Sequence, residues 1–285
     1  MTKLHLGGQA VIEGVLIRSP HHYSVAVRKP DGSISVKRER IKSSKLQIAK
    51  VPFFRGVFAL WDTLDIGFRA LVYSANESSG ENEKLGKTEV FATVGLSILL
   101  AVALFIALPF YLSVLVAKNN SLLFNVIDGL LKAAVLVGYL FVISLFPDVK
   151  VMFQYHGAEH MAIHSYEAGK GNTVKDIRRF KTMHPRCGTS FLLFVLLLGI
   201  IVFSVVHFEN LALRFASRII LLPVIAAISY EVLKFSARHS ESLLAKPFIL
   251  PGILLQKITT KQPTDRQIEV AMASVEDVLE GEKAG

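Results

Sequence analysis

A chain of 285 residues that is 52% hydrophobic, with a net charge of +9 and a mean hydropathy of +0.46, gathers its apolar side chains into long runs, unlike an ordinary soluble domain. Its basic residues lie between those runs rather than on one soluble face, which argues against a nucleic-acid partner. The one cysteine, Cys187, excludes an internal disulfide and suits a reducing compartment.

The first residues, MTKLHLGGQAVIEG, hold no continuous apolar stretch of the secretory kind, so insertion through internal helices is expected. From Gln9 to Arg40 the pattern is strand-like. AVIEGVLIR is apolar and β-branched, and Pro30-Asp31-Gly32 between two alternating stretches predicts a β-hairpin. Residues 1–51 therefore read as a β-rich cytoplasmic segment. Gly7-Gly8-Gln9-Ala10 lacks both the Gly-Lys-Ser/Thr ending and the preceding strand of a phosphate loop. Residues 52–76 predict an amphipathic helix begun by Pro52, with Phe53, Phe54, Val57, Leu60, Trp61, Leu64, Phe68, Leu71 and Val72 at helical spacing. That stripe suits either the membrane interface or the core of a small cytoplasmic domain. A polar loop, Asn76 to Thr88, follows.

Four apolar runs predict four transmembrane helices, two within residues 90–146 and two within 191–235. Val90–Ala117 has no charge. Leu122–Phe146 carries Asp128 and Lys132, read as an intrahelical pair. Phe191–Val206 has no charge, and Leu213–Phe235 carries Arg214, Arg218, Glu231 and Lys234. Lysines and arginines crowd the N-terminal segment, residues 147–190 and the tail. The Lys118–Ser121 link carries one positive charge, and the link around His207–Asn210 carries none until Arg214. The positive-inside rule then predicts a multi-pass protein of the plasma membrane with both termini cytoplasmic. The expected fold is mainly α and integral to the membrane, with an N-terminal hairpin-containing segment and interfacial helices. In the tail, 236–285, KPFILPGILLQKI is too short to span and its two prolines are expected to break it, leaving it in or on the membrane. Thr264 with Gln267 fits a capping box, and the stripe from Ile268 to Leu279 predicts a terminal helix that packs on something.

The chemistry concentrates in YHGAEHMAIH, Tyr155 to His164, within the cytoplasmic 147–190 segment. Residues four apart on a helix return to one face about 6 Å further on, so His156 and His160 can hold one metal ion from adjacent turns. His156-x-x-Glu159-His160 has the H-x-x-E-H order, in which two histidines bind zinc and the glutamate handles a proton of metal-bound water. Zinc asks for at least a third protein ligand. The candidates are His184 and Cys187, before the third run, and Glu231, near the cytoplasmic end of the fourth, with His239 soon after. The bland counterparts are a Pro-Gly turn at 184–188 and an ion pair of Glu231 with Lys234 or a nearby arginine. His164, one turn beyond His160, is left outside the set.

Taken together, GGQAVIEGVLIR, PFFRG, YHGAEH, HPRCGTSF, SYEVLKFS and PGILLQKITTKQPTDRQIEVA occur in order from Gly7 to about Ala271. They resemble the YqhQ-like family of bacterial membrane proteins, a domain of unknown function sometimes labelled a predicted metal-dependent enzyme. The resemblance implies a motif set of His156, Glu159, His160, His184, Arg186, Cys187 and Glu231. Met161 departs from it where similar sequences commonly carry Lys. Two readings follow. In one, the chain is a membrane metal-dependent hydrolase holding Zn2+ through His156, His160 and Glu231, His184 or Cys187. Glu159 is its general base, Arg186 stabilises negative charge, and the substrate is a lipid, peptide or membrane protein at the cytoplasmic interface. In the other, it is a non-enzymatic scaffold, assembly factor or small transporter with a structural site.

Overall fold

The computed structural model describes residues 4–41, 54–79, 86–117, 121–170, 173–206, 208–238, 242 and 246–284. Pro52 and Phe53, the Lys118–Asn120 link, His207 and His239 fall outside those residues. Four strands form one antiparallel meander in sequence order: β1 (Gly7–Val11), β2 (Gly14–Arg18), β3 (His22–Arg28) and β4 (Ile34–Arg40). The expected hairpin joins β3 to β4, with His22 opposite Arg40 and Arg28 opposite Ile34. Gly32 there takes φ 86°, a conformation that needs no Cβ, and Asp31 accepts hydrogen bonds from the Ser33 amide and hydroxyl. A second, two-residue turn at Ile12-Glu13 lacks the usual glycine, and Glu13 takes φ 49°. Tertiary contacts hold it: the Ile12 amide donates to Ser74 Oγ and Tyr155 Oη donates to the Glu13 carboxylate.

Both faces of the sheet are covered, because successive side chains on a strand point to opposite sides. Val15, Ile17 and Ala26 pack with Ala158, Met161, Ile268, Val275 and Val278, which belong to α5 (Pro147–Ala168) and α11 (Asp265–Ala284). Each Val or Ile so buried contributes roughly 1.5–3 kcal/mol. The expected terminal helix thus packs on the sheet. Its cap is half made, with Gln267 Oε1 accepting from the Thr264 amide, and Ser274 donates to the Ser24 carbonyl beneath it. Leu16, Tyr23, Val25 and Val27 face α1 (Phe54–Ser78). Only the small side of α1, with Ile66 and Ala70, meets them. The large apolar stripe read from the sequence points outward, with Trp61 72% and Leu64 69% exposed. The core-helix alternative therefore does not describe that stripe.

The remaining helices, except the four-residue Val174–Ile177 that packs on α5 and α11, form an apolar bundle. Helix α2 (Lys87–Val102) continues through a π turn, Ala103–Ala107, into α3 (Leu108–Ala117). Pro109 has no amide hydrogen and its ring crowds the carbonyl four residues back, so the helix widens just before it. Then come α4 (Ser121–Ile143), the short α6 (Val174–Ile177), α7 (Thr189–Val205), α8 (Leu211–Ile220), α9 (Leu222–Arg238) and α10 (Lys246–Thr259). Among the described residues, Thr88–Ala117 and Leu122–Ile143 are long and apolar enough to cross a membrane. Helices α8 and α9, bent by 43° just before Pro223, make a third if counted as one span. The four expected spans thus resolve into two full-length helices, one bent pair, and α7, uncharged but 17 residues long. With Leu99, Leu115, Val116, Ile201 and Val205 exposed, this surface points to membrane association.

The tail differs from expectation. KPFILPGILLQKI is not broken by its prolines. It is the body of α10, with Pro251 inside the helix, packed against α7 and α4. One proline removes a single backbone hydrogen bond, a loss that packing against neighbouring helices offsets.

Candidate metal centre

Helix α5 carries the histidine-rich stretch. Pro147 opens it at the first helical position, and Gly169 ends it with φ 64°, its amide bonded to the Tyr166 carbonyl. One face presents His156, Glu159, His160, His164 and Glu167 to the 182–188 turn, to the end of α10 and to β1. Two close approaches depend on glycine. A Cβ on Gly8 of β1 would lie 2.7 Å from Glu159 Oε1, and one on Gly157 would lie 2.1 Å from the Lys261 carbonyl oxygen.

Two backbone carbonyls orient the first two rings. His156 Nδ1 donates to Thr259 O at 2.8 Å and His160 Nδ1 to Thr182 O at 2.5 Å. With the proton on Nδ1 in both, each Nε2 keeps its lone pair. His156 Nε2 stands 3.3 Å from Cys187 Sγ, and one ligand atom from each of His156, His160 and Cys187 lies within 4.8 Å of the others. Tetrahedral zinc, with Zn–N about 2.0 Å and Zn–S about 2.3 Å, separates its ligand atoms by about 3.5 Å, so this donor set fits the ion. Glu159 Oε2 is 3.9 Å from His156 Nε2.

Burial drives each ionisable group of the site toward its uncharged form. Burial pushes Glu159 up to about 8 and, helped by the Glu159 charge, Cys187 up to about 11. Burial likewise lowers His156, and it takes His160 well down, with the neighbouring imidazoles adding to the effect. Two neutral imidazoles, a thiol and a carboxylic acid meet around one point, and a divalent cation there would ionise the thiol and the acid.

His184 belongs to an adjoining network. Its backbone is clamped by Gln256 of α10, which accepts from its amide at 2.8 Å and donates to its carbonyl at 2.9 Å. Its Nδ1 accepts the Arg186 amide at 3.1 Å, so Nε2 carries the proton and faces Glu167 Oε2 at 3.4 Å. Burial lowers its pKa to about 4. Glu167 also takes the Arg186 guanidinium, and the His164 ring lies 4.3 Å from that of His184. His164, Glu167 and His184 could themselves hold an ion, but the hydrogen bonds leave this group less open than the first. His184, a further candidate ligand in the sequence, thus falls with His164 and Glu167 rather than with His156, His160 and Cys187, and its ring faces Glu167. His164, set aside in the sequence, and Glu167, unnoticed there, both belong to this network. The signal was present, since His164-x-x-Glu167 repeats His156-x-x-Glu159 eight residues on.

Glu231 is not brought to either group. It forms a two-pronged ion pair with Arg55 of α1, one arm of it Arg55 Nε to Oε1 at 2.7 Å, and it does not line the cleft. Its expected role as a ligand is replaced by one joining α1 to α9. His156, Glu159, His160, His184, Arg186 and Cys187 instead share the wall of an open cleft of about 320 Å³, with Leu6, Ala10, Met152 and Phe153 giving its apolar side.

Residues 51–281 match a protein family described as a protein of unknown function, DUF1385. The chain is 37% identical over 292 residues to "Uncharacterized protein YqhQ" of Bacillus subtilis (strain 168), an alignment that covers 96% of this chain and 92% of that protein. No solved structure matches.

Proposed function

The chain belongs to the YqhQ-like DUF1385 family, and from the site alone we propose that it is a zinc-dependent hydrolase of the plasma membrane, working at the cytoplasmic interface. The observation that carries the reading is the pair of inward Nε2 lone pairs beside Cys187, each set by a backbone carbonyl. His156, His160 and Cys187 would hold the ion, and a two-histidine, one-thiolate set suits zinc. When bound, zinc supplies a Lewis acid and an activated water. Glu159 takes and returns a proton at its carboxyl, which burial poises near neutrality. Arg186, steadied by Glu167 at the cleft, meets negative charge on the substrate. The apolar wall and the start of α7 two residues after Cys187 favour a lipid, a peptide or a membrane protein as substrate. In this reading α7 and the bent α8–α9 pair complete four spans with both termini cytoplasmic, and Trp61 and Leu64 of α1 rest in the interface.

Elemental analysis of the purified protein tests it. About one zinc per chain is expected, lost in His160→Ala and in Cys187→Ala. Protein that carries no stoichiometric metal overturns the reading. One observation favours a second: Glu159, 3.9 Å from His156 Nε2, could close the site as a fourth ligand of a structural zinc in a scaffold or transporter. Glu159→Gln separates the two, since a proton-handling residue leaves the zinc in place and a ligand does not.

A further inference from the structure

A second cavity, of about 500 Å³, lies between α4, α7 and the Thr88–Ala117 helix, and no residue of α5 lines it. Its wall is apolar except for Tyr139 and the point where Asn125, Asp128, Lys132 and Arg218 converge. The last three are the charged residues on that wall and leave one net positive charge there. Lys132 Nζ sits 2.7 Å from Asp128 Oδ2, and Arg218 Nε is 3.4 Å from the same oxygen. Arg218 Nη2 donates to Asn125 Oδ1 at 2.6 Å, and the guanidinium lies 3.9 Å over the Phe203 ring. This accounts for only part of the group. Arg218 is 2% exposed, yet its Nη1 has no hydrogen-bond partner, and Oδ1 of Asp128, also buried, has none either.

A buried guanidinium with an unmade hydrogen bond, in a group whose net charge is positive, is costly within an apolar bundle. An anionic oxygen at Nη1 removes both costs, and a hydroxyl beside it can donate to Asp128. The apolar remainder of the cavity is shaped for hydrocarbon. We propose that this cavity binds an acidic lipid, with an acyl chain along its wall and the headgroup oxygens on Arg218. The site is separate from the metal centre and does not depend on it.

The test uses the full chain reconstituted in phosphatidylcholine nanodiscs containing either phosphatidylglycerol or oleic acid. Native mass spectrometry after release into detergent counts the retained lipid. One of the acidic lipids should be retained about tenfold over phosphatidylcholine, whose quaternary ammonium leaves the positive charge of the group uncompensated. Preference for phosphatidylglycerol identifies a net-anionic phosphodiester headgroup with hydroxyls, and preference for oleate a carboxylate. Arg218→Gln should remove the preference. Because that variant alters a buried network, Gly199→Leu provides a second arm. A Cβ there meets only the Phe203 ring, 3.7 Å away, so the longer side chain fills the cavity without displacing backbone. It should abolish retention while leaving zinc content unchanged. Equal retention of phosphatidylcholine by the wild type, or undiminished acidic-lipid retention in folded Gly199→Leu protein, overturns the proposal.

Discussion

Gly157→Ala should destabilise the protein, although alanine is the better helix former. In an exposed helix this change gains about 1 kcal/mol. Here the new methyl carbon would stand 2.1 Å from the Lys261 carbonyl oxygen and 3.2 Å from Thr182 Cγ2. The first neighbour is backbone and cannot rotate aside. Forcing the 259–261 segment away costs about 1–3 kcal/mol in overpacking. Loss of the hydrogen bond from the Lys261 amide to the Phe153 carbonyl, now 2.9 Å, adds about 1 kcal/mol. The net loss is about 2 kcal/mol, a fall in melting temperature of roughly 4–8 °C for a protein of this size. The same displacement disturbs the carbonyls of Thr259 and Thr182, which aim His156 and His160, so zinc should bind about 10–100-fold more weakly. Thermal melts of detergent-solubilised protein with and without chelator, beside zinc titration, measure both. A variant that melts at or above the wild type and titrates identically would show that the segment does not press on α5 as described.

Glu231→Gln should leave zinc content unchanged while slightly loosening α1 from α9, since the pair it breaks is partly exposed; loss of zinc would restore it as a ligand. His184→Asn should retain zinc where His160→Ala loses it, because the His184 ring is occupied with the Arg186 amide and Glu167. Acid should weaken the hold of the terminal helix on the sheet. Burial pushes Glu282 up, but hydrogen bonds from Ser19 and His21 outweigh it and bring its carboxyl from 4.5 down to about 2. That contribution is complete above about pH 4.5 and is lost as pH falls toward 2, so Glu282→Gln should be less stable at neutral pH and flatter through the acid range. Parallel acid titrations of both proteins would undercut the assignment.

The α5 histidines were legible because an i, i+4 pattern is local, and so were the Pro30–Gly32 turn and the terminal helix. What escaped depends on distant partners. Nothing beside Glu231 announces Arg55, 176 positions earlier. The tautomer of His184 rests on a backbone amide, which has no letter of its own. The Ile12-Glu13 turn lacks glycine and is held by Ser74 and Tyr155, so local propensity could not mark it. In α10 the prolines were read by their backbone cost alone, without the packing on α7 that offsets it. For α1 the apolar stripe was seen but its direction was not, since a helix wheel does not say which side the sheet will take.

The carbonyl that aims His156 belongs to Thr259, 103 residues further along. During synthesis, His156 and Cys187 emerge long before that oxygen exists, and the His156 ring is then free to present either nitrogen. The site therefore acquires its shape late, after the apolar helices have been made and α10 has docked on α7. A chain stopped before residue 259 would carry every donor and still lack the arrangement, so any selection among metal ions would be made by the finished fold rather than by the nascent peptide.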